Sequence, residues 1–102
     1  MLFRSPGPVG LYGLAVDGNY IYWADLGYNR IGRADLDGQN VNLSFISLPS
    51  CGPRGVAVDR SHIYWTNSFL GTLGEADLDG QNMNLNLVTG GFWPYGIVLD
   101  PE

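Results

Sequence analysis

Ile21-Tyr22-Trp23-Ala24-Asp25, followed by Ile31-Gly32-Arg33-Ala34-Asp35-Leu36-Asp37-Gly38-Gln39-Asn40, is the first of two similar copies in this chain. Forty-two residues on stands Ile63-Tyr64-Trp65-Thr66-Asn67, followed by Leu73-Gly74-Glu75-Ala76-Asp77-Leu78-Asp79-Gly80-Gln81-Asn82. The same shift carries Gly13, Ala15, Val16 and Asp17 onto Gly55, Ala57, Val58 and Asp59. A third opening, Pro94-Tyr95-Gly96-Ile97-Val98-Leu99-Asp100, lies one residue short of register with the stretch from Pro53 to Asp59. The chain thus holds two full units and the start of a third, and self-similarity at such a period marks stacked structural repeats.

Each unit reads as four strands separated by turn signals. In the first unit these are Gly13 to Asp17, Tyr20 to Asp25, about Arg30 to Leu36 and about Val41 to Ser47. Asp37-Gly38, Asp79-Gly80 and Gly18-Asn19 are read as two-residue hairpin turns that supply positive φ. The first two strands of each unit are apolar at consecutive positions, as in Gly55-Val56-Ala57-Val58 and Ile63-Tyr64-Trp65, which implies that both sheet faces are covered. A four-stranded antiparallel sheet repeated every forty or so residues and sandwiched by its neighbours is the blade of a β-propeller. The small residues Gly13, Ala15, Gly55 and Ala57 suit an innermost strand, where blades converge on an axis.

On these residues the sequence resembles the YWTD repeat family, the class B repeat of the low-density lipoprotein receptor, from about Gly13 to Asp100. The resemblance implies an all-β, six-bladed propeller whose rim binds proteins or peptides. The second copy departs from the motif in two places, Asp25 becoming Asn67 and Arg33 becoming Glu75. The joint loss of an acid and a base implies that Asp25 and Arg33 interact in the first blade. The expected division is an N-terminal segment over residues 1–12, blades over 13–54 and 55–95, and the inner strand of a third blade over 96–102.

Composition narrows the partners. Among 102 residues there are five Arg and no Lys against ten acids, for a formal net charge of −5, which disfavours nucleic acid and an anionic membrane surface. An apolar fraction of 45% with 15 Gly and 6 Pro fits a packed chain of short strands and turns, and no apolar run approaches a membrane span. The lone Cys51 cannot form an internal disulfide, which leaves the compartment open. The N-terminal residues Met1 to Pro6 carry no secretory signature.

Few motifs point to chemistry. Asp35-Leu36-Asp37-Gly38-Gln39-Asn40 and its copy have closely spaced oxygen ligands, but lack the ligand number and distal Glu of a calcium loop, so the reading is a capped turn and no metal. Ser61, His62 and Asp59 are adjacent in sequence, which is not triad geometry. His62 is expected in an exposed turn and Cys51 as an inert thiol. No cofactor and no catalytic group are expected. Tyr22, Trp23, Tyr64 and Trp65 recur in place, as packing between blades requires.

The residues that differ between repeats are the candidate ligand contacts: Tyr12, Tyr28, Arg30, Arg54, Phe69, Trp93 and Tyr95, with Phe92 beside them. They are read as loop residues following strands two and four, on the face where a propeller funnel opens. Aromatic side chains and Arg gathered on one rim have the composition of a recognition patch. The expected function is therefore a non-catalytic module binding a protein or peptide. The alternatives are a lectin-like carbohydrate binder or a piece of a longer propeller with a purely structural role. Two blades leave two open faces, and a homotrimer would complete six. Leu2-Phe3-Arg4-Ser5 aligns with Ser44 to Ser47 as the tail of a fourth strand, and Gly96 to Asp100 duplicates the innermost strand, so strand exchange is expected at chain junctions.

Overall fold

The computed structural model describes residues 11–89. Those residues form eight strands and no helix: β1 (Leu11–Val16), β2 (Tyr20–Asp25), β3 (Arg30–Asp35), β4 (Asn42–Ser47), β5 (Pro53–Val58), β6 (His62–Asn67), β7 (Thr72–Asp77) and β8 (Asn84–Thr89). They build two four-stranded antiparallel sheets, in the orders β1-β2-β3-β4 and β5-β6-β7-β8. The segments Leu2–Ser5 and Gly96–Asp100, for which strands were expected, lie outside the described residues, as do Phe92, Trp93 and Tyr95.

The repeat is exact in register. Trp23 stands opposite Gly32 across β2 and β3, and Trp65 opposite Gly74 across β6 and β7. A Cβ added to Gly74 would lie 2.7 Å from Trp65 Cε2, and one added to Gly32 would overlap the Trp23 indole. The glycine is therefore the floor on which the indole lies, and both indoles are buried.

The sheets converge at their first strands. A Cβ on Gly13 would stand 2.7 Å from the Arg54 carbonyl oxygen and from the Val56 nitrogen, so the two inner strands approach too closely for any side chain there. Between the sheets lies one core. Tyr22, Ala24, Ile31 and Ile46 of the first sheet meet Val56, Ile63, Trp65 and Ala76 of the second.

Four sequence readings change. Each inner strand begins two residues earlier than expected, at Leu11 and Pro53, because a bulge between Leu11 and Leu14, repeated between Pro53 and Val56, prolongs pairing. The link from β3 to β4 is a six-residue loop over 36–41 rather than a two-residue hairpin. Gly38 (φ 85°) and Asn40 (φ 52°) both adopt left-handed backbone there, while the Gly38 N–H donates to the Asp35 carbonyl. Gly18 and Asn19 have no positive φ. Their turn is held by the Asp17 carboxylate, which accepts from the Asn19 and Tyr20 N–H groups at 2.8 Å. Arg60 and Ser61 replace the pair in the second blade, and Asp59 makes the same contacts. Coverage of both faces holds for Val56 and Ala57 in β5, but not for Leu14 and Val16 in β1, which are exposed.

Candidate functional site

Alternation of strand direction sends the β2–β3, β4–β5 and β6–β7 connections to one end of the blades and the β1–β2 and β3–β4 turns, with their second-blade copies, to the other. The two ends have opposite chemistry. Asp17, Asp35, Asp37, Asp59, Asp77 and Asp79 gather at the second end, and their side chains are spent on turns. The Asp35 carboxylate accepts from Asn40 Nδ2 at 2.7 Å and Asp77 from Asn82 Nδ2 at 2.7 Å, while Asp37 and Asp79 accept from the Gln39 and Gln81 N–H groups.

Tyr22 and Tyr64 donate to the second oxygens of Asp17 and Asp59, at 2.9 and 3.1 Å. Burial tends to raise the Asp17 carboxyl, but the N–H groups of Asn19 and Tyr20, the Tyr22 hydroxyl and the Arg33 charge together hold it below its ordinary value. At Asp59 the Ser61 N–H is the leading cause of the same lowering. Burial first and the facing carboxylate second push both tyrosine hydroxyls up.

The first end carries the candidate ligand contacts. Tyr12 lies in β1, Arg30 opens β3 and Arg54 is second in β5, so these three sit at strand ends rather than in loops; Tyr28 and Phe69 lie in the β2–β3 and β6–β7 turns. The structure joins four of them in two stacks. The Arg30 guanidinium lies 4.5 Å from the centre of the Tyr28 ring, and the Arg54 guanidinium 4.5 Å from that of Tyr12. A cation over a ring face is attracted by the ring quadrupole, which holds both partners in place. Tyr12, Tyr28 and Phe69 remain exposed. Phe69 leans on Gly52, whose added Cβ would meet the ring at 2.6 Å.

The pairing expected between Asp25 and Arg33 does not form. Asp25 takes Arg30 instead, Nε to Oδ2 at 2.8 Å, with the carboxylate buried. Register explains the choice, since Asp25 and Arg30 are directly opposed across the β2–β3 turn. Arg33 lies three rungs away, opposite Tyr22, with its guanidinium 4.0 Å from the Tyr20 ring centre and 4.1 Å from that of Phe45. The partner change at Asn67 is therefore the replacement of Arg30 by Thr72, and Asn67 Nδ2 donates to Thr72 Oγ1 at 2.9 Å and to the Leu85 carbonyl at 3.0 Å.

Sequence reasoning passed over Asn29, which organises this end. It adopts left-handed backbone (φ 53°), as Gly71 does at the equivalent position (φ 67°). Its side-chain oxygen accepts from the Cys51 and Gly52 N–H groups at 3.1 and 2.8 Å, and its carbonyl from Leu48 N–H at 2.9 Å. From the other side Ser68 donates twice to the Gly52 carbonyl, through N–H and hydroxyl. The inter-blade link is thereby clamped between two turns, and Asn or Gly at a turn centre was the available signal. Cys51 is buried in this link, and burial pushes its thiol up to about 11. His62 opens β6 at the opposite end, not in a turn, with Nε2 3.6 Å from Asp77 Oδ1. Of the four recurring aromatics, Tyr22, Trp23 and Trp65 are buried, while Tyr64, on the face turned from the first blade, is half-buried.

No protein-family model matches the sequence, and neither does any curated protein. Solved structures do. The chain aligns over 74% of its length with 30% of a chain in the crystal structure of a nidogen/laminin complex, at 33% identity and a TM-score of 0.67. It aligns over 90% of its length with 32% of selenomethionine-substituted virginiamycin B lyase from Staphylococcus aureus, at 20% identity and a TM-score of 0.71. A streptogramin B lyase is matched over 84% of this chain and 29% of that one, at 21% identity and a TM-score of 0.67. The chain spans about a third of the length of each, and the two lyases speak to the fold alone. Convergent four-stranded sheets with these neighbours are β-propeller blades. Their recurring Tyr-Trp strand, paired with Gly and followed by the Asp-Leu-Asp-Gly turn, makes them YWTD-like blades.

Proposed function

We propose that this chain is a non-catalytic binding module that recognises a protein or peptide through the end bearing Tyr12, Tyr28, Arg30, Arg54 and Phe69, with Trp93 and Tyr95 assigned to the same rim from sequence. The observation that carries the reading is the pair of Arg-on-Tyr stacks, each 4.5 Å from cation to ring centre, beside exposed Phe69. Rigid aromatic and Arg groups held before a ligand arrives lose little entropy on binding, which is what interface anchors require. The opposite end has its carboxylates engaged in turns. Similarity to a chain in a nidogen/laminin complex, an assembly of two proteins, favours a protein ligand.

Two features weigh against a catalytic use of the rim despite the likeness to lyase folds. Cys51 is buried with a raised thiol pKa, and His62 stands at the far end of its blade. The division into blades over 13–54 and 55–95, with an inner strand over 96–102, belongs to the same proposal. So does a six-bladed ring of three chains.

The test is retention of a displayed peptide library by the immobilised chain, run beside a glycan array. Peptide retention that is lost in Tyr28→Ala and Phe69→Ala supports the reading. Glycan hits without peptide retention overturn it in favour of a carbohydrate ligand.

A further inference from the structure

We infer that the exposed apolar face of the first blade receives the second blade of another copy of this chain, head to tail, across a surface that repeats the one joining the two blades within a chain. The inference rests on the ring proposed above and supplies its interface.

Four pairs of repeat-equivalent residues carry it. Val56 and Val58 face the first blade, and Val56 is 4% exposed; their equivalents Leu14 and Val16 are 67% and 55% exposed. Ile46 and Phe45 face the second blade, and Ile46 is 4% exposed; their equivalents Val88 and Leu87 are 44% and 40% exposed. Each position is covered or partly covered where the described residues supply a neighbouring blade on that side and bare where they do not. Polar residues would serve as well as apolar ones on a face meant for solvent, so four bare aliphatic residues at interface positions mark a surface awaiting the same kind of partner.

The two bare faces complement each other rather than themselves. Within the chain, the β7–β8 loop of the second blade rests on β4 of the first: a Cβ on Gly80 would sit 3.5 Å from Ile46 Cγ1 and Phe45 Cζ. Gly38 takes the same left-handed backbone at the same place in the first blade. In a head-to-tail pair it would rest on Leu87 and Val88 of the next copy. Tyr12 would then meet Arg54 of the next copy, as Arg54 meets Tyr12 within one chain, so the rim alternates Tyr and Arg and is complete only in the assembly. An interface between unlike faces propagates, and closes when its rotation divides the circle. The occupant is a second copy because the matching surface is already present and already used in this chain.

The experiment is light scattering coupled to gel filtration on the full chain and two variants, Leu14→Asp and Val88→Asp. Both sites are exposed, so neither change disturbs a packed blade, and circular dichroism confirms the fold of each. The wild-type chain is expected at three times its mass of 11.1 kDa. Each variant alone, with one face spoiled, is expected at the mass of one chain. Mixed in equal amounts they are expected at twice that mass, because the one intact face of each variant fits the other and the complex can neither grow nor close. Should either Asp variant misfold, Leu14→Ser and Val88→Ser make the same pair of tests. A wild-type chain running at its own mass overturns the inference, as does a mixture of the variants that stays at that mass. A monomer that still retains peptides removes the interface and leaves the rim reading standing. Assembly without peptide retention does the reverse.

Discussion

Where β2 hands over to β3, the first blade buries the Asp25 carboxylate and neutralises it with Arg30, 2.8 Å away. The second blade keeps the backbone register but fills the two positions with Asn67 and Thr72, joined by a neutral hydrogen bond at 2.9 Å. Both solutions satisfy the turn, yet their consequences at the surface differ. The charged pair lifts a guanidinium onto the Tyr28 ring and so furnishes the rim. The neutral pair ends inside, bonded to Leu85, and leaves Phe69 to lie on Gly52. The blade scaffold is thus indifferent to which pair it holds, provided both members change together, and rim chemistry is written by that choice.

The harshest way to break the comparison is to attack what both blades share. Trp65→Ala empties a buried site in the core between the blades and should cost about 3–5 kcal/mol of unfolding free energy, read by urea denaturation. Next comes a mismatch of the two solutions. Asn67→Asp places a carboxylate in a fully buried site beside Thr72. An unpaired buried charge should cost about 3–5 kcal/mol, and adding Thr72→Arg should restore most of it.

Smaller effects sharpen the picture. The Asp17 and Asp59 carboxyls, held below the ordinary value of 3.8 in the folded chain, contribute stability that is fully present above that value. It is lost as pH falls through the lowered folded pKa. Melting temperature should therefore drop as pH falls below about 4, and Asp17→Asn should flatten part of that drop. The smallest effect belongs to the rim: Tyr28→Ala removes an exposed ring and should shift stability by less than about 0.5 kcal/mol while weakening a rim ligand.

Period and strand order were legible because the Tyr-Trp strand and the Asp-Leu-Asp-Gly turn recur at a fixed spacing, and each copy vouches for the other. The burial of Trp23 and Trp65 followed from the same recurrence. Side-chain capping was not legible. Gly18-Asn19 looked like a positive-φ hairpin, but the Asp17 carboxylate holds the turn, as the glycine-free Arg60-Ser61 version demonstrates. The partner of Asp25 was misread because Arg30 and Arg33 both vanish from the second copy, and two repeats cannot tell such losses apart. The opposed register of Asp25 and Arg30 does. Tyr12 and Arg54 were placed in loops because a bulge, invisible in the residue pattern, carries the inner strands further toward the rim.

The central claim, that either pair serves the blade but a mixture does not, is tested most directly by a double-mutant cycle in the first blade, with unfolding free energy measured for Asp25→Asn, Arg30→Thr and the two combined. Arg30→Thr alone should be strongly destabilising, because it strands a buried carboxylate. The double variant, which carries the second blade's pair, should recover most of that loss, with a coupling of about 1–3 kcal/mol. A double variant as unstable as the sum of its two single changes would contradict the account.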